Sequence, residues 1–549
     1  MMSKVEQVKK VYDNWVSEIF DGNITKKLVA MTESEILDGF SGDLEFGTAG
    51  MRGVMGYGSN RMNEITVTRL ASAIARYAKE NFENPSIVIG FDTRNNSKKF
   101  SRVFARMLIS QGIKTYLYKN YCPTPVLSYS ITALKTSMGI MITASHNNKI
   151  YNGVKVSDQN AIQISGDVQK TLTKYYNEAN GIRDYNKIYN IKLTYKKNLV
   201  VLGKKLRRQF LEYGDNQKQE RKLKIVYTPL NGTGYKSVKT LLESNGFKLF
   251  VPKTQQKASG EFLTCPYPNP EFEEAFAEAK KLAKKVDADI IVATDPDADR
   301  IGVMSKTKNG YYLLSGNEVG YVFLNQQCKK TTSKNAFAVS SVVTSPLAID
   351  IAKKYNVTMH RALTGFKNLG KVMFEQTQNL GTDAYTLCYE ESCGYILRND
   401  LYDKDGVFAA LEICKLADEL KKQGKTLADH LDDLYSEFGY LANINASAVF
   451  EGNDAKQKMQ TSVEDLRANK PTSLLGRPIT SIVDYLNDDT GLEKQNFIKF
   501  EAENLVAIVR PSGTEPKLKF YIFAKAGDMS TAQQTASDLY KEIKEKVCK

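Results

Sequence analysis

Between Thr66 and Gln423 short apolar runs alternate with longer amphipathic stretches, the pattern of strands and helices in βαβ units. In the first cycle Thr66 to Glu80 reads as a helix, Ser86 to Asp92 as a buried strand, Lys99 to Gln111 as a helix and Thr115 to Tyr118 as a strand. Met138 to Ile142 is a further buried strand, and it empties into a polar turn that carries Ser145. Ahead of this cycle Val5, Val8, Val11, Tyr12, Trp15 and Ile19 recur at helical spacing and predict an opening amphipathic helix that serves packing. Residues 166 to 218 are polar and read as mostly helical, completing a first domain.

A second α/β pattern begins at Leu223-Lys-Ile-Val-Tyr, runs through a helix to Ser244 and the strand Phe247 to Val251, and reaches the strand Ala288 to Thr294. A third has Ala336 to Val343 as strand, Pro346 to Tyr355 as helix and Val407 to Gln423 as a later helix. Beyond a helical connection the pattern changes to short strands, the strand Leu518 to Ala524 and a closing helix from Thr531. The predicted fold class is α/β: three successive α/β domains (1–218, 219–333, 334–445) with mixed, mostly parallel sheets, plus a smaller α+β C-terminal domain (446–549).

Composition narrows the function. Of 549 residues 42% are apolar, enough for a core in each domain, and 25% are charged, as in ordinary soluble proteins. The net charge of +14 is spread along the chain without a block of like charges, which favours small anionic partners over nucleic acid. Seven cysteines without CxxC spacing fit reduced thiols in the cytoplasm. No apolar run reaches the roughly twenty residues that span a bilayer, so neither export nor membrane anchoring is expected.

Against that background a few polar loops stand out. Ser145 sits where open α/β sheets bind ligands, at a strand's carboxyl end, but a serine hydroxyl needs a base, a metal or a preformed ester to take part in group transfer. His146 is the nearest base, yet neighbours in an extended segment point to opposite sides. Asp295-Pro-Asp-Ala-Asp-Arg300 places three carboxylates at alternating positions of a loop, a request for a hard divalent cation. The EF-hand reading fails, because Arg300 stands at the sixth position and Lys306 at the twelfth. Phe46 to Gly53 is a Gly-rich turn with Arg52 able to fork onto a phosphate. Glu390-Glu-Ser392 can share hydrogen bonds with vicinal sugar hydroxyls, and Arg510-Pro-Ser-Gly-Thr514 joins a guanidinium, two hydroxyls and a glycine as a phosphate requires. Each of these clusters alone is also ordinary turn chemistry.

Taken in order, Thr143-Ala-Ser-His-Asn147, Asp295 to Arg300, Glu390-Glu-Ser392 and Arg510 to Thr514 resemble the four signature loops of the α-D-phosphohexomutases, in the branch of bacterial phosphoglucomutases and phosphopentomutase-like enzymes. Phe46 to Arg52, Thr364-Gly-Phe-Lys367 and Asp403-Lys-Asp-Gly406 are similar to that family as well. Departures are Asn148 in place of Pro, Tyr389 in place of Gly, and Cys393 in place of a larger residue. The resemblance implies four domains around a central cleft and an isomerase that passes phosphoryl from a phosphoserine at Ser145. One Mg²⁺ would be held by Ser145, Asp295, Asp297 and Asp299, with glucose 1,6-bisphosphate as primer and intermediate. It further implies that Arg52 contacts the phosphoserine region, Arg300 holds the phosphoryl, and Lys404, with Lys155 or His146, handles the proton. Thr364, Gly365, Lys367, Glu390 and Ser392 would hold the sugar, and Arg510, Ser512, Gly513 and Thr514 the phosphate that is not reacting. The expected substrates are glucose 1-phosphate and glucose 6-phosphate, with mannose phosphates as a further possibility and a phosphopentomutase as the rival. Outside the class, a serine phosphatase predicts more histidine ligands than the three His present, and a non-catalytic relative predicts loss of a serine or aspartate that is retained. Partners are expected to be small-molecule sugar phosphates, without nucleic acid or membrane, and the chain a monomer or weak homodimer.

Overall fold

Every position of the strand Met138–Ile142 is buried, as an uninterrupted apolar run requires when both faces of a sheet are covered. It lies mid-sheet among β1 (Phe46–Gly47), β2 (Gly50–Val54), β3 (Ser86–Phe91), β4 (Lys114–Tyr118), β5 (Met138–Ile142), β6 (Tyr151–Ser157) and β7 (Leu199–Leu202), in the order β1-β2-β6-β5-β3-β4-β7. A second sheet, β12-β11-β10-β8-β9, joins β8 (Lys224–Thr228), β9 (Lys248–Phe250), β10 (Ile290–Thr294), β11 (Ile301–Thr307) and β12 (Gly310–Leu314). A third, β14-β13-β15-β16, joins β13 (Phe337–Ser341), β14 (Thr358–Ala362), β15 (Tyr385–Glu390) and β16 (Gly394–Ile396). The fourth, β17-β22-β21-β20-β19-β18, joins β17 (Tyr440–Val449), β18 (Ser473–Leu474), β19 (Arg477–Asp484), β20 (Ile498–Ala502), β21 (Leu505–Pro511) and β22 (Lys517–Ala526), and is antiparallel throughout. The computed structural model describes residues 3–47, 50–194, 197–214, 219, 221–452, 454–512 and 516–548.

The first three sheets are mixed, and the mixing positions the site. β3 runs parallel to β4 and β5, but β5 returns antiparallel along β6. In the same way β10, parallel to β8, returns along β11, and β15, parallel to β13, returns along β16. The short links after β5, β10 and β15 leave no room for the crossover of a dozen or more residues that a parallel return needs. Loops 143–150, 295–300 and 391–393 therefore all sit at the carboxyl end of a parallel strand, on the turn into an antiparallel partner.

Three elements differ from the sequence reading. The Gly-rich segment from Phe46 is a hairpin of β1 and β2 that sets Arg52 opposite Gly153 on β6, with Thr48 and Ala49 outside the described residues. The stretch 166–218 contains the edge strand β7 besides its helices. The helix Gly316–Lys330, started by a Ser315–Glu318 capping box, packs on β15 and on the helix Leu347–Lys354, so it goes with the third sheet rather than the second. One continuous apolar core runs from Ile89 and Ile140 through Tyr227 and Val303 to Leu387 and Ile413 and takes in Ile508, Tyr521 and Phe523 on one face of the fourth sheet, whose other face packs a separate core around Phe500, Val509, Phe520 and Leu539. Among the described residues no helix is long and apolar enough to cross a membrane.

Candidate active site

Ser145 follows β5 with φ 51°, left-handed for an L-residue and costing about 1–2 kcal/mol, so the surroundings must hold it there. Its N–H donates to Thr143 Oγ1 at 2.8 Å, and that hydroxyl donates in turn to Asp92 Oδ2 at 2.7 Å. The Ser145 hydroxyl is buried, donates to Asp295 Oδ2 at 2.9 Å, and lies 3.3 Å from His146 Nδ1. The expectation that Ser145 and His146 point apart assumes an extended chain, and the left-handed turn removes that assumption. Burial, then the charges of Arg300 and Arg52, push the His146 imidazolium well below its ordinary pKa, which favours the neutral ring.

The three aspartates of the next loop are fully buried, and one oxygen of each lies within 4.8 Å of the others. Ala298, at φ 57°, bends the loop, and Asp295 Oδ1 accepts the N–H groups of Asp299 and Arg300 at 3.1 and 3.0 Å. Asp297 Oδ2 accepts from Lys155 Nζ and Thr124 Oγ1, both at 2.7 Å, which ties the loop to the first domain. Asp299 Oδ2 accepts from Lys155 Nζ at 2.7 Å and faces Lys404 Nζ at 3.3 Å. Asp297 Oδ1 and Asp299 Oδ1 are buried without a hydrogen-bond partner. Two orphaned oxygens in an all-carboxylate set fit a hard divalent cation. Burial and the charges of Asp297 and Asp299 drive Asp295 well above the ordinary carboxylate range. Against burial, Lys155, Lys404 and Arg300 hold Asp299 below it. A cation would relieve the repulsion among the three carboxylates.

Lys155 and Lys404 are buried beside these acids. Against burial, Asp297, Asp299 and Asp403 hold Lys155 above its ordinary value, and Asp299 and Asp403 do the same for Lys404. Both are thus ammonium groups here, donors and counter-charges rather than ready bases. Lys404 also donates to Asp403 Oδ1 at 3.2 Å and lies over the Phe366 ring, 4.7 Å from its centroid. Arg52 Nη1 donates to Asn147 Oδ1 at 2.7 Å, on the rim of the Ser145 loop. Arg300 Nη1 donates to Glu271 Oε1 at 2.6 Å and to Ser392 O at 3.0 Å, joining the second domain to the third.

In the third domain Glu390 Oε1 accepts the Gly365 N–H at 2.5 Å and Oε2 lies 3.4 Å from Ser392 Oγ, so two of the sequence-predicted sugar loops meet. Gly365 has φ 99°, a conformation few side chains tolerate. Thr364 Oγ1 is buried without a partner, and Lys367 is half-buried, its ammonium lowered by that burial despite the attraction of Glu493. Glu391 turns away from Glu390 and accepts from Ser341 Oγ and Thr344 Oγ1, each at 3.1 Å. Burial and the charge of Glu390 push its carboxyl up to about 7.

In the fourth domain Arg510 on β21 faces Lys519 on β22, and the Ser512 N–H donates to Lys517 O at 2.8 Å to close the loop. Gly513 and Thr514 lie outside the described residues. Burial, then the charges of Arg510 and Lys517, pull the Lys519 ammonium below its ordinary value.

The sequence reading passed over Arg94 beneath the Ser145 loop, Thr124 at the aspartates, Glu271 under Arg300, and Lys519, and it gave no role to Asp92 or Asp403. Only Lys519, alternating with Lys517 beside Arg510, left a legible signal, a basic strand edge next to a Gly loop.

Residues 43–182, 205–310 and 315–438 match, in turn, α/β/α domains I, II and III of phosphoglucomutase/phosphomannomutase. The chain is 34% identical to a phosphoglucomutase of Staphylococcus haemolyticus (strain JCSC1435), over 97% of this chain and 99% of that one. It is 33% identical to a phosphoglucomutase of Staphylococcus aureus (strain MRSA252), over 95% and 96%. The crystal structure of a phosphoglucomutase/phosphomannomutase family protein from Burkholderia thailandensis shares the fold at a TM-score of 0.69, with 17% identity over 91% of this chain and 97% of that one.

Proposed function

Because the chain belongs to the phosphoglucomutase/phosphomannomutase family and is a phosphohexomutase, we propose that it interconverts α-D-glucose 1-phosphate and glucose 6-phosphate through a phosphoserine at Ser145 and a bound glucose 1,6-bisphosphate. The observation that carries this reading is the 2.9 Å contact of Ser145 Oγ with Asp295, beside two unpartnered carboxylate oxygens.

In the forward half-reaction the free hydroxyl of the sugar monophosphate forms a new P–O bond to the phosphoserine phosphorus. The P–Oγ bond breaks, and its electron pair stays on Ser145 Oγ. Mg²⁺, held by Asp295, Asp297, Asp299 and a phosphoserine oxygen, would supply Lewis-acid withdrawal of charge from the ester. The neutral His146, adjacent to Ser145 Oγ, is our candidate acceptor of the hydroxyl proton, while Lys155 and Lys404 balance charge around Asp299. Arg52 and Arg300 flank the transferring group. After the bisphosphate turns over in the cleft, Ser145 Oγ attacks its other phosphoryl and the steps run in reverse. Glu390, Ser392, Thr364, Gly365 and Lys367 would hold ring hydroxyls in both orientations, and Arg510, Ser512, Gly513 and Thr514 the phosphate that is not reacting. Enclosure among four domains would keep water from the intermediate. The seven cysteines are free thiols, which supports the cytoplasmic setting we assign.

The test is kcat/KM for glucose 1-phosphate, mannose 1-phosphate and ribose 1-phosphate with Mg²⁺ and a bisphosphate primer, using Ser145→Ala as blank. We expect the hexoses to be preferred, with glucose ahead. A preference for ribose 1-phosphate would overturn the sugar assignment and make the chain a phosphopentomutase.

A further inference from the structure

Ser145 is tethered through both of its backbone polar groups, and both tethers end on one pair of residues just beyond β3. On the amide side the chain of bonds runs from Ser145 N to Thr143 Oγ1 and from that hydroxyl to Asp92 Oδ2. On the carbonyl side Arg94 Nη2 donates to Ser145 O at 2.6 Å and to Asn147 O, and Nη1 donates to Asn148 O at 2.7 Å and Tyr151 O at 3.3 Å. Arg94 Nε lies 3.3 Å from Asp92 Oδ2, and neither side chain has any exposure. The guanidinium also faces the ring of Phe262 from the second domain, 5.0 Å from its centroid. Loop 145–151 is thus wound around one planar cation whose charge Asp92 balances. A guanidinium can serve diverging carbonyls at fixed angles, which a single ammonium cannot reproduce.

We propose that Arg94, set by Asp92, is a positioning residue for phosphoryl transfer, holding the left-handed turn at Ser145 so that Oγ is aimed at Asp295. The proposal rests on Ser145 being the phosphoryl carrier. Arg94 touches none of the groups assigned to sugar or distal phosphate, so its loss acts on turnover and leaves substrate affinity in place.

Steady-state kinetics of the full chain with glucose 1-phosphate, Mg²⁺ and glucose 1,6-bisphosphate test this on Arg94→Lys, Arg94→Ala, Thr143→Val and Ser145→Ala. For Arg94→Lys with a wild-type melting temperature, kcat is expected to fall on the order of 100-fold, the loss that a displacement of about 1 Å causes, with KM unchanged. Added guanidinium should restore part of kcat to Arg94→Ala and none to Ser145→Ala. A folded Arg94→Lys with full kcat, or one whose KM rises in step with the lost kcat/KM, overturns the proposal. Should Arg94→Lys not fold, Thr143→Val is judged by the same two criteria. Activity in Ser145→Ala overturns the phosphoserine reading and this inference with it, whereas a dead Ser145→Ala beside a fully active Arg94→Lys overturns this inference alone.

Discussion

The loop at Ser145 and the loop at Arg510 both serve phosphate in our reading, and they are built in opposite ways. Around Ser145 the donors are engaged, the side chains of Asp92, Arg94 and the three aspartates are wholly buried, and two domains share one continuous core. Around Arg510 the cations are half-buried, they repel one another, and the sheet that carries them gives one face to the common core while the other packs a core of its own. The fourth domain meets the third through apolar side chains such as Tyr521 and Phe523 that join the common core, through Asn317 to Asn443 at 3.0 Å and Lys525 to Asp350 at 3.2 Å, and through the stacked pair Tyr435 and Tyr440 across Gly439 at φ 94°. A mutase needs this asymmetry. Chemistry always happens at one serine and is best served by rigid placement, whereas the distal grip must accept a phosphate from either end of the sugar and then let it go.

The contrast can be broken most severely at the rigid end. Ser145→Ala should lower kcat by more than about 10⁴-fold, because the covalent route has no substitute nucleophile, and a hexose 1-phosphate assay against the primer reads this directly. Asp297→Asn removes one carboxylate charge while keeping the shape of the site, so half-saturating Mg²⁺ should rise by about 10- to 100-fold, as read by titrating activity with Mg²⁺. An unchanged titration would mean that the cation sits elsewhere. At the soft end the effect should move from kcat to KM. Arg510→Met removes one charge-assisted donor, worth about 1.5–3 kcal/mol, and should lower kcat/KM by about 10- to 100-fold with most of the loss in KM. A loss confined to kcat would erase the distinction between the two loops.

The smallest effect concerns pH at the junction of the third and fourth domains. Glu391 faces Lys519 and Tyr521 across that junction, besides Arg361, Tyr389 and Glu390 of its own domain. Its folded-state pKa of about 7 lies above the ordinary 4.5, so its protonation stabilises the fold fully below 4.5, and that contribution is lost as pH rises through about 7. Glu391→Gln should therefore melt with the wild type near pH 4 and several degrees above it at pH 8, by scanning calorimetry at both values. An equal offset at the two pH values would show that burial does not raise this carboxyl.

Much of this was legible in the sequence because turn chemistry and strand burial leave local marks. Met138 to Ile142 has no polar position, and β5 spans those residues. Asp295, Asp297 and Asp299 alternate in a loop, and their oxygens converge. What stayed hidden depends on contacts between distant segments or on unusual backbone angles. Arg94 reads as one more basic residue after a strand, and only the return of loop 145–151 over it reveals four carbonyls. The proximity of Ser145 and His146 follows from one φ value that neighbouring residue types do not announce. The edge strand Leu199–Leu202 leaves Val200 and Val201 exposed inside a polar stretch, so its apolar signal was too short to separate from the helices around it. The motif of Lys404 suggests a part in handling the proton, but its carboxylate neighbours Asp299 and Asp403, at 3.3 and 3.2 Å, show only in the fold.

The central claim is that Ser145 carries the phosphoryl group between the two ends of the sugar. Incubating the protein with glucose 1,6-bisphosphate and Mg²⁺, mapping phosphate by peptide mass spectrometry, and chasing with glucose 6-phosphate in a quench-flow experiment tests it directly. The account predicts a single phosphoryl on Ser145 that leaves, on addition of the sugar monophosphate, at least as fast as kcat. Turnover with Ser145 unmodified, or a phosphoryl that departs more slowly than kcat, would contradict it.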